Sequence, residues 1–157
     1  MNKERWIKIY KKILIGTDGS LHANNAAVRA AELQKEWKSK IVIFHSINHH
    51  KLPLNITPER KYPQEIIQNI EELNREAGRE LLKTTQKMFD NSISSVETRL
   101  IEDLSPDEYI SDVVEKENFD LVVIGSRGHH SKIKEIFLGT VATHVSKNAL
   151  CDVLIVR

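Results

Sequence analysis

Two short glycine-rich runs hold residue types suited to phosphates and sugars. One is Gly16-Thr17-Asp18-Gly19-Ser20; the other is Gly125-Ser126-Arg127-Gly128, followed at a distance by Gly139-Thr140. Glycines in a turn let a ligand approach the backbone and leave N–H groups pointing at it. Gly139-Thr140 precedes a segment of helical periodicity, so the positive end of a helix would add its field for an anion. Thr140 can cap that helix or bond a phosphate oxygen. Asp18 can accept hydrogen bonds from ribose hydroxyls or hold a hydrated Mg²⁺. Arg127, with Lys132, His129 and His130, can bring positive charge beside a phosphate. Together these residues outline a nucleotide site with its phosphates on the second run. Neither the Walker pattern nor G-x-G-x-x-G occurs, so P-loop and dinucleotide-binding readings lose their support.

Other chemistries are less well supplied. Among seven histidines, His45, His49 and His50 cluster, as do His129 and His130. Neutral imidazoles suit zinc or nickel, but adjacent histidines point apart and no helical i, i+4 pair exists. His22 and His144 read as helix-surface residues. Cys151 reads as buried packing at the start of a strand. Ser20 and Ser126 have no base and orienter evident in sequence. An aspartyl phosphoacceptor would need an acidic pair after the first strand, and only Glu102 and Asp103, after the third, are acidic neighbours of this kind.

These runs must be held by something, and the hydrophobic pattern says what. Ile13 to Ile15 is a buried strand ending near Thr17. Ala23, Ala26, Ala27, Ala30, Leu33 and Trp37 recur at helical spacing, with Ser20 or Asp18 as cap. Ile41 to Ile47 is a second strand. Pro53, Pro58 and Pro63 mark a loop over 48–62. Pro63 begins a long helix with Ile66, Ile67, Ile70, Leu73, Ala77, Leu81 and Met88 on its apolar face. Val96, Thr98 and Leu100 alternate with charges, as in an edge strand. Ser105-Pro106-Asp107-Glu108 carries the cap, the first-turn proline and the glutamate of a capping box, and Ile110, Val113 and Val114 form the next helix's inner face. Phe119 to Ile124 is the fourth strand, Val141, Ala142, Val145 and Ala149 line a last helix, and Val153 to Val156 is the fifth strand. Continuous apolar strands alternating with helices predict an α/β fold: one doubly wound parallel sheet of five strands with helices on both faces. Ligands bind such a sheet at the carboxyl ends of its strands, where the winding reverses.

The 157 residues fit one domain, with 1–10 as a lead-in and 11–157 as the domain. A balance of 23 basic against 22 acidic residues leaves no overall electrostatic footprint for nucleic acid. No apolar run exceeds four residues, so no membrane span is expected. A single cysteine gives no internal disulfide framework and makes a reducing, cytoplasmic compartment the default expectation.

The sequence resembles the universal stress proteins from residue 11 to 157. The resemblance rests on Lys12-Ile-Leu-Ile-Gly-Thr-Asp-Gly-Ser20, Ile41-Val-Ile-Phe-His45, Asp120-Leu-Val-Val-Ile-Gly-Ser-Arg-Gly128 and Cys151-Asp-Val-Leu-Ile-Val-Arg157. Nucleotide-binding members carry G-x2-G-x9-G-[ST]; here the run is Gly125-x2-Gly128-x10-Gly139-Thr140, one residue longer. The resemblance implies strand order 3-2-1-4-5 and an ATP-type adenine nucleotide. It puts Thr17 and Asp18 at the ribose or metal, and Ser46 at adenine through its backbone. Ile124 and Gly125 would lie by the ribose and α-phosphate, with Gly128, Gly139 and Thr140 at the phosphates. It also implies a homodimer through the apolar edge Val153–Val156. The expected role is a dimeric, nucleotide-dependent regulatory switch read by a protein partner. Slow ATP hydrolysis and a ligand-free scaffold are the alternatives.

Overall fold

The computed structural model describes residues 9–47, 63–129 and 138–157. Its elements are β1 (Lys12–Gly16), α1 (Leu21–Trp37), β2 (Lys40–Ile47), α2 (Gln64–Gln86), β3 (Val96–Glu102), α3 (Pro106–Lys116), β4 (Leu121–Gly125), α4 (Thr140–Asn148) and β5 (Asp152–Val156). The five strands form one sheet in the order β3-β2-β1-β4-β5, and every neighbouring pair is parallel. The winding reverses between β1 and β4, where Ile13, Leu14 and Ile15 lie opposite Leu121, Val122 and Val123.

Alternate side chains of the central strands feed two separate cores. Ile13, Ile15, Ile41, Ile43, Leu121 and Val123 face the alanines of α1, with Leu82 and Phe89 from the α2 side. Leu14, Val42, Phe44, Val122 and Ile124 face Tyr109, Ile110, Val113 and Val114 of α3 and Ala142 and Val145 of α4. Strands covered on both faces need apolar residues in both registers, which explains their continuous runs. The small alanine stripe lets α1 sit close to the sheet. Right-handed crossovers place α1 and α2 on one face, α3 and α4 on the other.

Two caps stand as expected. Ser20 caps α1, its Oγ accepting from the Ala23 N–H. Ser105 and Glu108 form the reciprocal capping box of α3, with Pro106 in its first turn. Other expectations need correcting. Gly139, not Thr140, is the N-cap of α4, and it has no side chain to bond the helix end. Cys151 is partly rather than fully buried. The apolar face assigned to α2 is also wrong in part. Leu82 is buried where Leu81 was expected, while Ile66 is 41% and Leu73 63% exposed. Length explains this. The 23 residues of α2 run roughly 35 Å, whereas the 7 of β3 run only about 23 Å. The first turns of α2 therefore overhang the carboxyl ends of the strands, with no sheet beneath them. Near the end of that sheet Gly78 lets α2 close in, since a Cβ there would lie 2.7 Å from Leu100 Cδ1. The expected 48–62 loop lies outside the described residues. No helix among those described is long and apolar enough to cross a membrane.

Candidate functional site

The two glycine-rich runs become adjacent turns, at the carboxyl ends of β1 and β4. The first leaves β1 with Thr17, whose N–H donates to the Phe44 carbonyl (3.0 Å). The Thr17 carbonyl is held by His45 Nδ1 at 2.8 Å. Thr17 itself is buried, and its hydroxyl accepts from the Gly19 N–H at 3.3 Å. Gly19 turns the chain with φ of 77°, a conformation that favours glycine.

Asp18 spans the gap between the turns. One carboxylate oxygen accepts from the Ser20 N–H at 3.0 Å, and the other accepts from the His129 N–H at 2.9 Å. Burial alone would raise its pKa. The bonds from Ser20 and His129 outweigh that and hold it below the usual aspartate value, so the group is a carboxylate at neutral pH. Gly128 packs directly on it: a Cβ at that position would lie 2.5 Å from Asp18 Oδ2. Ser20 Oγ adds a second tie, donating to the Arg127 carbonyl at 3.3 Å.

Ser126 is the junction of the second turn. Its N–H donates to the Val156 carbonyl (2.7 Å), and its carbonyl accepts from the Gly139 N–H (2.8 Å). Its buried hydroxyl lies 2.8 Å from Nδ1 of His22, in the first turn of α1. Gly125 is required for that approach, because a Cβ there would stand 2.7 Å from both Ala23 N and His22 C. This glycine makes room for α1, a different reason from the ligand approach expected of it. Gly139 comes alongside the turn: its Cβ position is 3.4 Å from Arg127 Cα and 3.9 Å from the Gly128 nitrogen. Gly139, just before α4, thus lies beside the turn that follows β4. Gly128, His129 and Thr140 are exposed, and Arg127 is half-buried.

Thr17, Asp18, Gly125, Arg127, Gly128 and Gly139 therefore lie on linked turns at one sheet edge, with Thr140 opening the adjoining α4. Ile124 is a core residue at the end of β4. Ser46 stands further along the same edge, on β2 next to β1, where its hydroxyl donates to the Leu104 carbonyl. Three histidines had suggested metal or solvent, and each turns out to brace a loop. His45 holds Thr17, His22 holds Ser126, and the His129 backbone holds Asp18. His144 is also more than a surface residue, since it pairs with Asp107 and joins α4 to α3. Among the described residues no group of three or more His, Cys, Asp or Glu could hold a metal ion. A Mg²⁺ here would rest on Asp18 and its ligand together. Each Asp18 oxygen has used one lone pair on an N–H and keeps another for a metal-bound water.

A five-stranded parallel sheet in this order, with facing loops at its reversal point, defines an α/β domain of the kind that takes ligands at that edge. The family model described as the universal stress protein family matches residues 9–157. The chain is 33% identical over 150 residues to a universal stress protein of Methanocaldococcus jannaschii, covering 95% of this chain and 83% of the relative. The chain belongs to the universal stress protein family. Its fold is similar to that of the universal stress protein UspA from Lactobacillus plantarum. The TM-score is 0.78 at 18% identity, over 96% of this chain and all (100%) of that one. It is also similar to the universal stress protein of Archaeoglobus fulgidus in complex with dAMP. Here the TM-score is 0.60 at 22% identity, over 96% of this chain and 100% of that one.

Proposed function

We propose that this chain is a regulatory domain that binds an adenine nucleotide, ATP with Mg²⁺ in the first instance, and signals its occupancy to a protein partner. The observation that supports it most is the meeting of Gly128, Gly139 and Asp18, far apart in sequence, into one open edge of glycine backbone. Backbone N–H groups at Gly128 and at the start of α4 suit phosphate oxygens, and the α4 dipole adds to them. Arg127 supplies the nearest positive side chain on the turn. Asp18 suits the ribose hydroxyls or a metal-bound water, with Thr17 shaping the turn beneath it. Ile124 and Gly125 underlie the ribose and α-phosphate, and the Ser46 backbone faces adenine. A bound Mg²⁺ would offset the charge between Asp18 and the phosphates. The A. fulgidus relative solved with dAMP supports an adenine nucleotide as the ligand class. The partly exposed β5, at one edge of the sheet, is the surface for a homodimer.

The direct test is to purify the protein without added nucleotide, denature it, and identify released small molecules by mass spectrometry. Adenine nucleotide near one per chain, lost in Asp18→Ala and in Gly128→Val, is expected. A blank, followed by no heat on titrating ATP-Mg²⁺, would overturn the reading. Sedimentation at micromolar concentration checks the dimer, and a monomer mass would remove it.

A further inference from the structure

Ser126 makes three bonds to three different elements. Two use its backbone and reach β5 and the start of α4. The third is its hydroxyl against His22 Nδ1 at 2.8 Å. We infer that His22 is a positioning residue of the nucleotide site: through Ser126 it fixes the Gly125–Gly128 turn and the Gly139 end of α4 in the spacing that phosphates require. This rests on the nucleotide reading above and deepens it.

The geometry makes the bond consequential. Ser126 is 3% exposed, so its hydroxyl has little access to water as a substitute partner. A buried hydroxyl left unpaired is costly, and the local backbone would shift to satisfy it. That backbone is the same residue whose carbonyl accepts the Gly139 N–H, so a shift at Ser126 moves both sides of the cradle together. His22 has little freedom to move instead. It lies in the first turn of α1, capped by Ser20, and β4 packs on its backbone at Gly125. The first turn is braced separately, by His45 on the Thr17 carbonyl. Loss of His22 should therefore loosen phosphate contacts more than the contact at Asp18, which the Ser20 N–H of the first turn also holds.

Hydrogen-bond chemistry supplies a rescue. Asparagine places an amide near the position of Nδ1, whereas glutamine places it near Nε2. Either partner role for Ser126 is open to an amide, which both donates and accepts.

The experiment compares ATP-Mg²⁺ and adenosine affinity by calorimetry for the full chain and for His22→Ala, His22→Asn, His22→Gln and Ser126→Ala. Thermal unfolding is run on each. ATP affinity should fall about tenfold in His22→Ala and Ser126→Ala, the size of one lost hydrogen bond at a binding turn. Adenosine affinity should stay within about twofold, and His22→Asn should recover most of the loss for ATP while His22→Gln does not. Should the alanine variants prove unfolded, the asparagine–glutamine contrast alone decides. Unchanged ATP affinity in His22→Ala would overturn the inference. So would equal losses for ATP and adenosine, or equal behaviour of asparagine and glutamine. If the unaltered protein binds neither ligand, the nucleotide reading itself fails and takes this inference with it.

Discussion

The two edges of the sheet use polar residues in opposite ways. At the amino edge they lock the chain into itself. Gln34 is fully buried, donating to the Asp90 carbonyl (3.0 Å) and Ser94 Oγ (2.9 Å) and accepting from the Asp90 N–H (3.0 Å). Ser94 in turn donates to the Ser39 carbonyl, and Ser39 to the Tyr10 carbonyl. Nearby, Arg99 grips Glu117 through two nitrogens, at 2.7 and 3.0 Å, while Lys12 adds a third bond at 2.9 Å. At the carboxyl edge separate bonds from His45, His22, Ser20 and Asp18 hold the turns and leave the Gly128 backbone exposed between them. Stability and ligand chemistry thus sit at opposite ends of the same strands. A ligand site needs donors left available, which a fully satisfied network does not offer.

The largest effect should come from a carboxyl-edge glycine with a packing role against the α1 backbone. Gly125→Val drives side-chain atoms into the backbone of α1 and should cost more than about 3 kcal/mol of stability in urea unfolding. A stable variant would mean that α1 can pull back from β4. Next, Gln34→Ala should cost about 3 kcal/mol, because it strands the Asp90 amide and carbonyl in the interior. Its ATP affinity should match the parent protein when measured well below the unfolding temperature. A parallel fall in affinity would break the separation of the two edges.

Glu117 gives a smaller, pH-dependent effect. Arg99 and then Lys12 hold its carboxyl down to about 2, from an ordinary value of 4.5. A lowered carboxylate stabilises the fold above its unfolded pKa, and that stability is lost as pH falls from about 4.5 towards 2. Allowing for partial solvent screening, Glu117→Gln should cost about 1 kcal/mol at pH 7. It should also flatten the acid side of the stability curve in unfolding titrations. An unchanged acid slope would take Glu117 out of the amino-edge lock. Comparable in stability is Asp18→Asn, which removes the charge and replaces one of two N–H acceptors with an NH2 donor, and should cost about 1 kcal/mol at this partly exposed turn. Its ATP-Mg²⁺ affinity should nonetheless drop tenfold or more by calorimetry, the signature of a residue placed for a ligand rather than for the fold.

The sequence exposes the strands because burial on both faces demands runs such as Ile13-Leu14-Ile15 and Leu121-Val122-Val123-Ile124. It exposes α3 because Ser105, Pro106 and Glu108 act on one another locally. It misleads at α2, where apolar residues lie on several sides of the helix and only the sheet's length decides which are covered. The glycine turns and Asp18 are legible as residue types with the right spacing. Their braces are not. His22 with Ser126 and His45 with the Thr17 carbonyl join residues 104 and 28 positions apart. No local pattern in a single sequence marks such pairs.

The bond from the Ser126 N–H to the Val156 carbonyl also has a consequence for how the protein is made. A chain grows from its amino terminus, and domains begin to fold as they are synthesised. The strands β1, β2 and β3 can pair first, and β4 can then add beside β1. At that stage the glycine turn exists but lacks its fastening on the far side, since Val156 has not yet joined the sheet. The turn acquires its final shape only when β5 emerges and slots in beside β4. A nascent chain would then show ligand competence late and abruptly, well after most of its core has been assembled.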